Sequence, residues 1–574
     1  MDTASVWRLD QHPTEVTLRT HILTVALEDY FHVTPVETIV DQERWYRFEM
    51  RIEASTRRTL DLLDECGARA TFFVLGWVAD AAPELVREVA ARGHEVASKG
   101  YYHRDIRALG RVAFLEDAIR AREAVERACG QRVLGYRLPQ DRLRPSELWI
   151  LEALAEAGYS YDSSVRLVLR NFAGEPWRQF AHHLEVAGRP FLEVPLSSLR
   201  LLGLHLPIAG GNYFRQFPHS LVRRAVAYWD RHHSAPYVMY FHTWELDPDQ
   251  PRINGVSLRQ QIRQYRNLEK MPAMLRHYLN TYRFTSIAEY FGLDGRVAAP
   301  AAEDAMNGAH PVARSTPRAS AQTGRLSRVT VVVPCFNEEQ SLRYLANTLR
   351  SVVEELGDRY CLSFIFVDDC STDGTWDALH AVFEHEPTCR FVRHTRNLGV
   401  AAAIRTGIEH AHDDIVCSID CDCTYDPHEL GRMLPLLTEG VDVVTASPYH
   451  AAGRVKNVPR WRLILSMSLS RLYRLVLHQR LSTYTSCFRV YRRSAALNIQ
   501  VRRGGFLGVA EMLGRLDLEG YRIAEYPTTL EVRVLGRSKM KVLRTIFGHL
   551  GLLVDLARAR LAGARSPVAA RELP

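Results

Sequence analysis

Two aspartates separated by one residue follow a short apolar run in the C-terminal half of the chain. The run is Ile415 to Ile419, and Asp420 and Asp422 come directly after it. In extended backbone, residues two apart point to the same side, so both carboxylates can meet just beyond a strand end. Hard oxygen ligands suit Mg²⁺ or Mn²⁺ bridging a diphosphate. The spacing therefore predicts a metal site, although a solvated turn is the alternative reading of the same two residues.

The elements that must position these aspartates are strands that end in polar residues. Residues 329–333 and 363–367 are further apolar runs, and the second of them ends at Asp368 and Asp369. A helix is predicted between these runs, over residues 341–356. Strands that alternate with helices indicate a parallel sheet, and ligands in such sheets bind beyond the carboxyl ends of the strands.

The N-terminal half shows the same alternation. Strands are predicted at residues 21–25 and 70–75, and helices at residues 53–66 and 83–92. Since 574 residues exceed the usual size of one domain, we predict two α/β domains.

A stretch rich in Ala, Pro, Ser and Gly separates the two halves. It lacks apolar periodicity, which predicts a flexible linker. The predicted organisation is a first domain at 1–293, the linker at 294–327, a second domain at 328–541 and a basic amphipathic helix and tail at 542–574.

Composition narrows the classes of function. The hydrophobic fraction of 47% is that of a globular protein. The net charge of +7 is mild, and the sequence shows no concentrated basic face of the kind that binds nucleic acid beyond its C-terminal part. No apolar run of about 18 residues is present, and the N-terminus does not resemble a secretory signal. The ten cysteines form no C-x-x-C pair. We therefore expect a cytoplasmic protein with reduced thiols.

Four segments of the second half occur together in one order. They are V-V-V-P-C-F-N-E-E (331–339), V-D-D-C-S-T-D-G-T (367–375), R-N-L-G (396–399) and D-C-D (420–422). These segments resemble glycosyltransferase family 2. The resemblance implies the GT-A (Rossmann-like) fold and an inverting transfer from a nucleotide sugar, with Mg²⁺ or Mn²⁺ held by Asp420 and Asp422. The residues that it implies for nucleotide-sugar binding are Pro334, Glu338, Asp368, Asp369, Asn397 and Asp420.

The chemistry of these residues suits the implied roles. Glu338 and Asp369 carry acceptor-only carboxylates, which can bind the N–H groups of a base and the hydroxyls of ribose. Asp369 could equally form an Asx turn into the next helix. Asp422 would hold the metal and offset charge on the leaving nucleoside diphosphate.

Further segments resemble the branch that glycosylates polyprenyl phosphates. They are T-S-C-F-R-V-Y-R-R (485–493), E-Y-P (525–527) and R-V-L-G-R-S-K (533–539). The resemblance implies a phosphate clamp by Arg533 and Lys539, for which the alternative is solvated surface charge. The acceptor is then a polyprenyl phosphate or a polysaccharide. Two departures from the branch are Thr424, where a metal-contacting Gln is frequent, and Cys487, where Gly is common.

A sugar hydroxyl acceptor needs a base, whereas a phosphate is already an anion. Glu511 is the candidate base, with an exposed helix position as the alternative. Two amphipathic stretches, residues 461–477 and 542–561, carry basic charge beside apolar residues. Such helices can lie in a lipid interface, which predicts peripheral contact with the inner face of the membrane, or they can pack on the domain.

The first half carries five segments of another family. They are T-V-A-L-E-D-Y-F-H-V (24–33), R-G-H-E-V-A-S-K-G-Y-Y-H (92–103), G-Y-R-L-P (135–139), Y-D-S-S-V (161–165) and F-H-T-W-E-L-D-P-D-Q-P-R (241–252). They resemble the polysaccharide deacetylases found with exopolysaccharide loci. The resemblance implies a (β/α) barrel variant and N-deacetylation by a metal-bound water, with one carboxylate and two histidines on the metal and a separate Asp as base.

Two of those positions are substituted. Ala26 stands where the family has its base, and Lys99 stands at the first metal histidine. An ammonium has no lone pair for a metal, and alanine cannot accept a proton. The other implied residues are kept: Glu28, Asp29, His103, Arg137 and His242.

We therefore predict a degenerate deacetylase domain without Zn²⁺, fused to a glycosyltransferase. One alternative is a bifunctional enzyme in which Asp29 or Glu28 serves as base at a weakened metal site. The other is a glycan-binding scaffold without catalysis.

Overall fold

The computed structural model describes residues 19–293, 326–536 and 542–563, except 34, 35, 37, 38, 140–142, 170, 171, 173, 187, 202, 203 and 459. It divides into two compact units. The first holds the described residues up to Gln42, then Met50–Gln250 and Val256 to residue 293. The second holds Glu43–Glu49, Pro251–Gly255 and the described residues from 326 onward. Nearly all of the predicted linker lies outside the described residues.

The first unit is built on one predominantly parallel sheet. Its strands are β1 (Thr20–Leu27), β2 (Thr71–Val74), β3 (Glu95–Ser98), β4 (Gly135–Tyr136), β5 (Tyr161–Asp162), β6 (His182–Val186), β7 (Arg189–Glu193), β8 (Ser198–Leu201), β9 (Leu204–Pro207), β10 (Val238–His242) and β11 (Arg283–Thr285). The main order is β10-β1-β2-β3-β4-β5-β7-β6, with β11 on β1, and β8 and β9 form a separate hairpin. Among the strands that the structure describes in the main sheet, only β6 runs antiparallel to its neighbour.

Helices connect these strands, as the alternation in the sequence predicts. They are α1 (Ile52–Glu65), α2 (Gly76–Ala81), α3 (Pro83–Ala91), α4 (Ile106–Cys129), α5 (Trp149–Glu156), α6 (Asn212–Gln216), α7 (His219–His232), α8 (Leu258–Tyr265), α9 (Met271–Thr281) and α10 (Ile287–Phe291). Seven of the eight residues of β1 are buried, because helices cover both faces of a parallel sheet.

The second unit contains a mixed sheet. Its strands are β12 (Ser327–Cys335), β13 (Tyr360–Asp368), β14 (Cys389–Arg393), β15 (Ile415–Ser418), β16 (Val443–Ser447), β17 (Arg454–Lys456), β18 (Arg489–Arg492), β19 (Ile523–Pro527) and β20 (Thr529–Glu531). The order is β14-β13-β12-β15-β18-β16-β19, and β17 pairs with β20 separately. β18 is antiparallel to both of its neighbours. The α/β class predicted for both halves is confirmed.

The helices of the second unit enclose two apolar cores, one on each face of its sheet. They are α11 (Leu342–Leu356), α12 (Thr375–Phe383), α13 (Val400–His410), α14 (Leu430–Met433), α15 (Arg460–Val476), α16 (Arg493–Asn498), α17 (Gly505–Leu518) and α18 (Val542–Gly563). None of the helices in the described ranges combines the length and the apolar composition that crossing a bilayer requires.

Candidate functional site

The predicted carboxylates of the second unit follow three neighbouring parallel strands. β12 lies between β13 and β15 and pairs with both. Glu338 follows β12, Asp369 follows β13, and Asp420 and Asp422 follow β15. Since all three strands run in one direction, these side chains leave the sheet at the same edge.

Arg533 joins two of these carboxylates. Its Nε atom lies 2.6 Å from Oδ2 of Asp422, and its Nη2 atom lies 2.6 Å from Oε1 of Glu338. The hydroxyl of Ser341 donates to the other Glu338 oxygen at 3.2 Å. Burial opposes the charge on Arg533, but Asp422 and Glu338 outweigh it and raise the pKa of the guanidinium. The structure thus brings together three of the residues that the sequence predicted for this site.

Asp420 and Asp422 are close enough to repel each other. Burial and then the Asp422 carboxylate raise the pKa of Asp420 to about 7, while the Cys487 thiol and Arg533 act in the opposite direction. A cation relieves such repulsion. The pair therefore fits Mg²⁺ or Mn²⁺, which take oxygen ligands and accept the remainder from phosphate and water.

Within the described ranges, no three His, Cys, Asp or Glu side chains are grouped so that they could hold a metal ion on their own. The carboxylates at the end of β15 would consequently need oxygens from a ligand to complete a coordination shell.

The carboxylate of Asp369 is bound by groups of the protein itself. Its carboxylate accepts hydrogen bonds from the backbone N–H of Leu398 at 2.8 Å and of Gly399 at 2.7 Å, and it contacts His394 at 2.8 Å. It thereby fixes the loop that begins α13. The alternative of an Asx turn into the next helix is wrong for Asp369, because Asp373 makes that contact with Thr375 at 3.1 Å.

The other residues implied for nucleotide-sugar binding also have contacts within the fold. Pro334 lies in β12 opposite Val367. Asp368 is fully buried, and its carboxylate accepts from the N–H of Ser371 at 3.2 Å. The side-chain amide of Asn397 donates to the carbonyl of Asp369 at 3.3 Å. These contacts shape the strand ends around the carboxylates, and the binding roles stay predictions.

The two departures from the polyprenyl-phosphate branch lie beside the aspartates. The N–H of Thr424 donates to Oδ1 of Asp422 at 3.1 Å, and the Cys487 thiol contacts Asp420. Thr424 also borders a cavity of about 260 Å³ in the second unit. Four arginine and lysine residues and four carboxylates surround that cavity: Arg44, Arg47, Arg432, Lys456, Glu355, Asp426, Glu429 and Glu531.

Sequence reasoning missed Arg44 and Arg47 altogether. Arg47 donates to Asp426 at 3.0 Å, and Arg44 forms an ion pair with Glu531. Nothing local in the sequence links residues 43–49 to partners more than 370 positions away.

Glu511 is not the exposed residue that the alternative reading supposed. It is buried on α17, and its carboxylate accepts from the N–H groups of Arg502 at 3.0 Å and Arg503 at 2.7 Å and from Arg515 at 2.7 Å. Both oxygens of Glu511 are therefore occupied by donors of the protein itself. In the part of the chain that the structure describes, Glu511 and Asp422 share no hydrogen bond or ion pair, and the structure lends the predicted base role no support. Lys539 lies outside the described residues.

Helices α15 and α18 pack together and leave apolar side chains exposed. The hydroxyl of Tyr473 lies 2.8 Å from Nδ1 of His549 between them. Ile464 is 66% exposed and Phe547 is 73% exposed. The alternative that both apolar faces are covered by the domain is therefore wrong for these side chains.

In the first unit, Lys99 occupies the centre of the deacetylase-like site. Its ammonium lies 2.6 Å from Oε1 of Glu28. His103 and His242 lie 3.7 Å and 3.9 Å from the Glu28 carboxylate. Burial alone would raise the pKa of Glu28, but Lys99 and then the histidines lower it. The four side chains border a cavity of about 50 Å³.

The remaining residues of this site are accounted for. Arg137 donates to the hydroxyl of Thr24 at 2.9 Å and to the carbonyl of Ser163 at 3.0 Å. Ala26 pairs with His242 across β1 and β10 and offers only a methyl group there.

Asp29 does not point into the site. Its carboxylate accepts from the N–H of Arg51 at 2.7 Å and of Ile52 at 3.0 Å, where α1 begins. The prediction that Asp29 serves as a metal carboxylate or as a base is therefore wrong, because its oxygens satisfy the orphan donors of a helix N-terminus.

Family models match three parts of the chain. The polysaccharide deacetylase model matches residues 42–161, and a domain of unknown function (DUF3473) matches residues 163–292. The glycosyl transferase family 2 model matches residues 330–499.

Curated relatives match the second half. An undecaprenyl-phosphate mannosyltransferase of Micrococcus luteus is 30% identical over 220 residues, which are 37% of this chain and 87% of the relative. A polyprenol monophosphomannose synthase of Mycolicibacterium smegmatis is 28% identical over 37% of this chain and 81% of its own length. A dolichol-phosphate mannosyltransferase of Pyrococcus furiosus is 25% identical over 39% of this chain, which spans only 62% of that relative.

Solved structures match each half separately. A polysaccharide deacetylase-like protein of Mycobacterium smegmatis covers 49% of this chain and 94% of its own, with a TM-score of 0.33 and 21% identity. The glucosyl-3-phosphoglycerate synthase of Mycobacterium tuberculosis, solved with Mn²⁺ and UDP, covers 40% of this chain and 80% of its own, with a TM-score of 0.32 and 21% identity.

Proposed function

Because the chain belongs to glycosyltransferase family 2 through its second half and carries a polysaccharide deacetylase domain in its first, we propose that it transfers a sugar from a nucleotide sugar to a polyprenyl phosphate. The observation that carries this proposal is the pairing of Arg533 with Asp422 and Glu338 at 2.6 Å each. The guanidinium can bind a phosphate of the donor, and Asp422 can hold the metal ion that offsets the charge of the diphosphate. The names of the relatives favour mannose as the sugar.

The proposed binding of the donor uses the edge of the sheet beyond β12, β13 and β15. Asp420 and Asp422 would hold Mg²⁺ or Mn²⁺, which when bound offsets charge on the leaving nucleoside diphosphate. Glu338 would accept hydrogen bonds from the nucleoside. Asp369 acts indirectly, since its carboxylate holds the backbone of Leu398 and Gly399 in place.

A phosphate acceptor would also explain why the carboxylate of Glu511 is bound to donors of the protein and is not placed as a base. A phosphate oxygen is an anion at neutral pH and attacks the anomeric carbon without a strong base. One bond forms from that oxygen to the anomeric carbon while the bond to the diphosphate breaks, which inverts the configuration. Arg533, which pairs with Asp422 and Glu338 in the ligand-free chain, would bind phosphate by exchanging one of these partners, because a guanidinium can form two parallel hydrogen bonds with phosphate oxygens.

We further propose that α15 and α18 bind the surface of a membrane that holds the lipid acceptor. Their exposed apolar side chains are accompanied by the exposed basic residues Arg471 and Arg558. Apolar residues beside basic charge are typical of helices that lie in an anionic lipid interface.

For the first unit, we propose a domain without N-deacetylase activity. Lys99 contributes a positive charge beside Glu28 and cannot ligate a metal, and Ala26 cannot act as a base. The polar side chains around the small cavity remain suited to holding part of a glycan.

The experiment that tests the main proposal is turnover of a panel of nucleotide sugars with Mn²⁺, with and without undecaprenyl phosphate. We expect turnover of a mannosyl donor that requires the lipid. Turnover that requires a polysaccharide and not the lipid would show that the acceptor is a polysaccharide. The absence of turnover with every donor would overturn the proposal.

A further inference from the structure

A short segment from the first half of the sequence binds the loop that carries Arg533. The segment is Pro251–Gly255, which belongs to the second compact unit. The N–H of Asn254 donates to the carbonyl of Val534 at 2.7 Å, and its side-chain amide donates to the carbonyl of Gly536. Ile253 forms an antiparallel bridge with Leu535 between these two bonds. The 533–536 loop is therefore held on both sides of Leu535.

A buried apolar pair stabilises the contact between the Pro251–Gly255 segment and the 533–536 loop. Ile253 is 1% exposed and Leu535 is 4% exposed. Hydrogen bonds that flank a buried apolar pair are shielded from water, which strengthens them. The backbone carbonyl directly after Arg533 is thus fixed by a residue that no family motif of the second half contains.

The same loop lies close to the carboxylates of the candidate site. Gly536 has a φ of +74°, and a Cβ there would lie 3.6 Å from the guanidinium of Arg533 and 3.8 Å from Oε2 of Glu338. The main chain therefore approaches the site so closely that the position of Arg533 depends on where residues 534–536 are held.

We propose that Asn254 is a positioning residue for sugar transfer and acts through Arg533. By holding the carbonyls of Val534 and Gly536, Asn254 keeps the guanidinium over Asp422 and Glu338. In the ligand-free chain, Arg533 balances these two carboxylates. With donor present, the same backbone position lets the guanidinium turn to the diphosphate by side-chain rotation alone. This inference rests on the proposed function, because it assumes that Arg533 faces donor phosphate.

The variant Asn254→Ala removes the side-chain bond and leaves the backbone bond. We expect kcat to fall about five-fold, the cost of one net hydrogen bond, and KM for the donor to rise, because a displaced guanidinium binds the donor diphosphate less well. In the ligand-free protein, the amide of residue 254 should exchange with deuterium about five-fold faster.

Asn347→Ala is the matched control. Its side-chain amide also donates to backbone carbonyls of a short segment in the second unit, those of Arg47 at 3.2 Å and Phe48 at 3.4 Å. It should lose thermal stability without a change in kcat. In an Arg533→Ala background, Asn254→Ala should have no further effect on kcat, because the two residues act through one group.

Three outcomes would overturn the positioning role. They are equal kcat values for Asn254→Ala and Asn347→Ala, additive effects of Asn254→Ala and Arg533→Ala, and faster exchange at residue 254 with unchanged kcat. Failure of the proposed function looks different, since the wild type would then turn over no donor. In that case the binding of Mn²⁺ with a nucleoside diphosphate, measured by calorimetry, replaces kcat. Equal affinities for wild type and Asn254→Ala, beside a changed affinity for Arg533→Ala, would again overturn the role.

Discussion

In the first unit, the ammonium of Lys99 lies 2.6 Å from the carboxylate of Glu28, and both side chains are buried. The resemblance to the polysaccharide deacetylases implies a metal-binding histidine at position 99, where this chain has a positively charged side chain. The ion pair offsets the buried charge of Glu28, so we expect the fold of this unit not to require a bound metal.

The first prediction concerns that ion pair. Lys99→Met should destabilise the first unit by about 3–5 kcal/mol, because it leaves the Glu28 carboxylate buried without its main partner. Thermal or urea unfolding of the full-length protein measures the effect. The double variant Glu28→Gln with Lys99→Met should recover most of the loss. A single variant as stable as the wild type would show that the pair contributes no net stability.

The second prediction concerns metal binding by the same site. Wild-type protein should purify without zinc in the first unit, whereas Ala26→Asp with Lys99→His should take up about one zinc ion, since a carboxylate and two histidines are then available. Metal analysis after dialysis measures this directly. Lys99→His alone is the control, because it restores the second histidine ligand without adding the carboxylate of the base at position 26. If the double variant stays free of zinc, the substitutions at positions 26 and 99 do not account for the lost site.

The third prediction concerns pH. Arg215 donates to Glu245 at 2.7 Å, and both side chains are buried. Burial alone would raise the pKa of Glu245, but Arg215 and then His242 lower it to about 2. Because the folded-state pKa lies below the unfolded value of about 4.3, the ionised form stabilises the fold above that value. The contribution is about 3 kcal/mol and is lost as pH falls from about 4.5 towards 2.

The measurement is thermal unfolding of wild type and Glu245→Gln between pH 3 and 7. The difference in midpoint should be constant above about pH 5 and should shrink below pH 4.5. The variant Glu84→Gln, at an exposed residue of α3, is the matched control. A difference that does not change with pH would rule out an ionised Glu245 as the source of the stability.

Local patterns predict the sheets of this protein well because buried parallel strands are nearly continuous apolar runs. The apolar runs at 329–333 and 415–419 predict two strands, and β12 (Ser327–Cys335) and β15 (Ile415–Ser418) lie there. The D-x-D spacing likewise predicts two adjacent carboxylates, and both aspartates follow β15 at the edge where Glu338 and Asp369 also lie.

What the sequence could not supply is pairing between distant positions. Arg533 is 111 residues from Asp422, and a solvated surface charge was the alternative for it. Asp29 carries the same carboxylate as Glu28, and only the structure shows that its oxygens face the N-terminus of α1. No local sequence pattern indicates that Pro251–Gly255 belongs to the second unit.

The fourth prediction tests the carboxylates of the transferase. Asp422→Asn should lower kcat about 10²–10³-fold, as the removal of one preorganised charged group at a reacting centre typically does. The fold should be retained, because Asp422 is half-buried and outside both apolar cores. Asp358→Asn, at an exposed residue of the same unit, is the control. Unchanged turnover of the Asp422 variant would refute its assignment to the metal.

The fifth prediction concerns the exposed apolar face of α15. Leu475 is 77% exposed and Ile464 is 66% exposed, although burial in protein or lipid would favour each by about 1.5–3 kcal/mol. If this face enters a lipid interface, Ile464→Asp with Leu475→Asp should weaken binding to vesicles of mixed neutral and anionic lipid at least about tenfold. Co-sedimentation with the vesicles measures the change. Leu258→Asp, at a residue of α8 that is 72% exposed, should have no effect.

The charge beside that apolar face separates lipid from other partners. Arg471 is exposed on α15, and Arg558 is exposed on α18. Attraction between such residues and anionic headgroups is screened by salt and absent from neutral vesicles. Binding should therefore weaken when anionic lipid is omitted or when ionic strength rises. Binding that is equal for neutral and anionic vesicles would mean that the basic residues do not take part. No binding to either kind would assign the apolar face to a protein partner, because exposed side chains of this size are otherwise costly to keep in water.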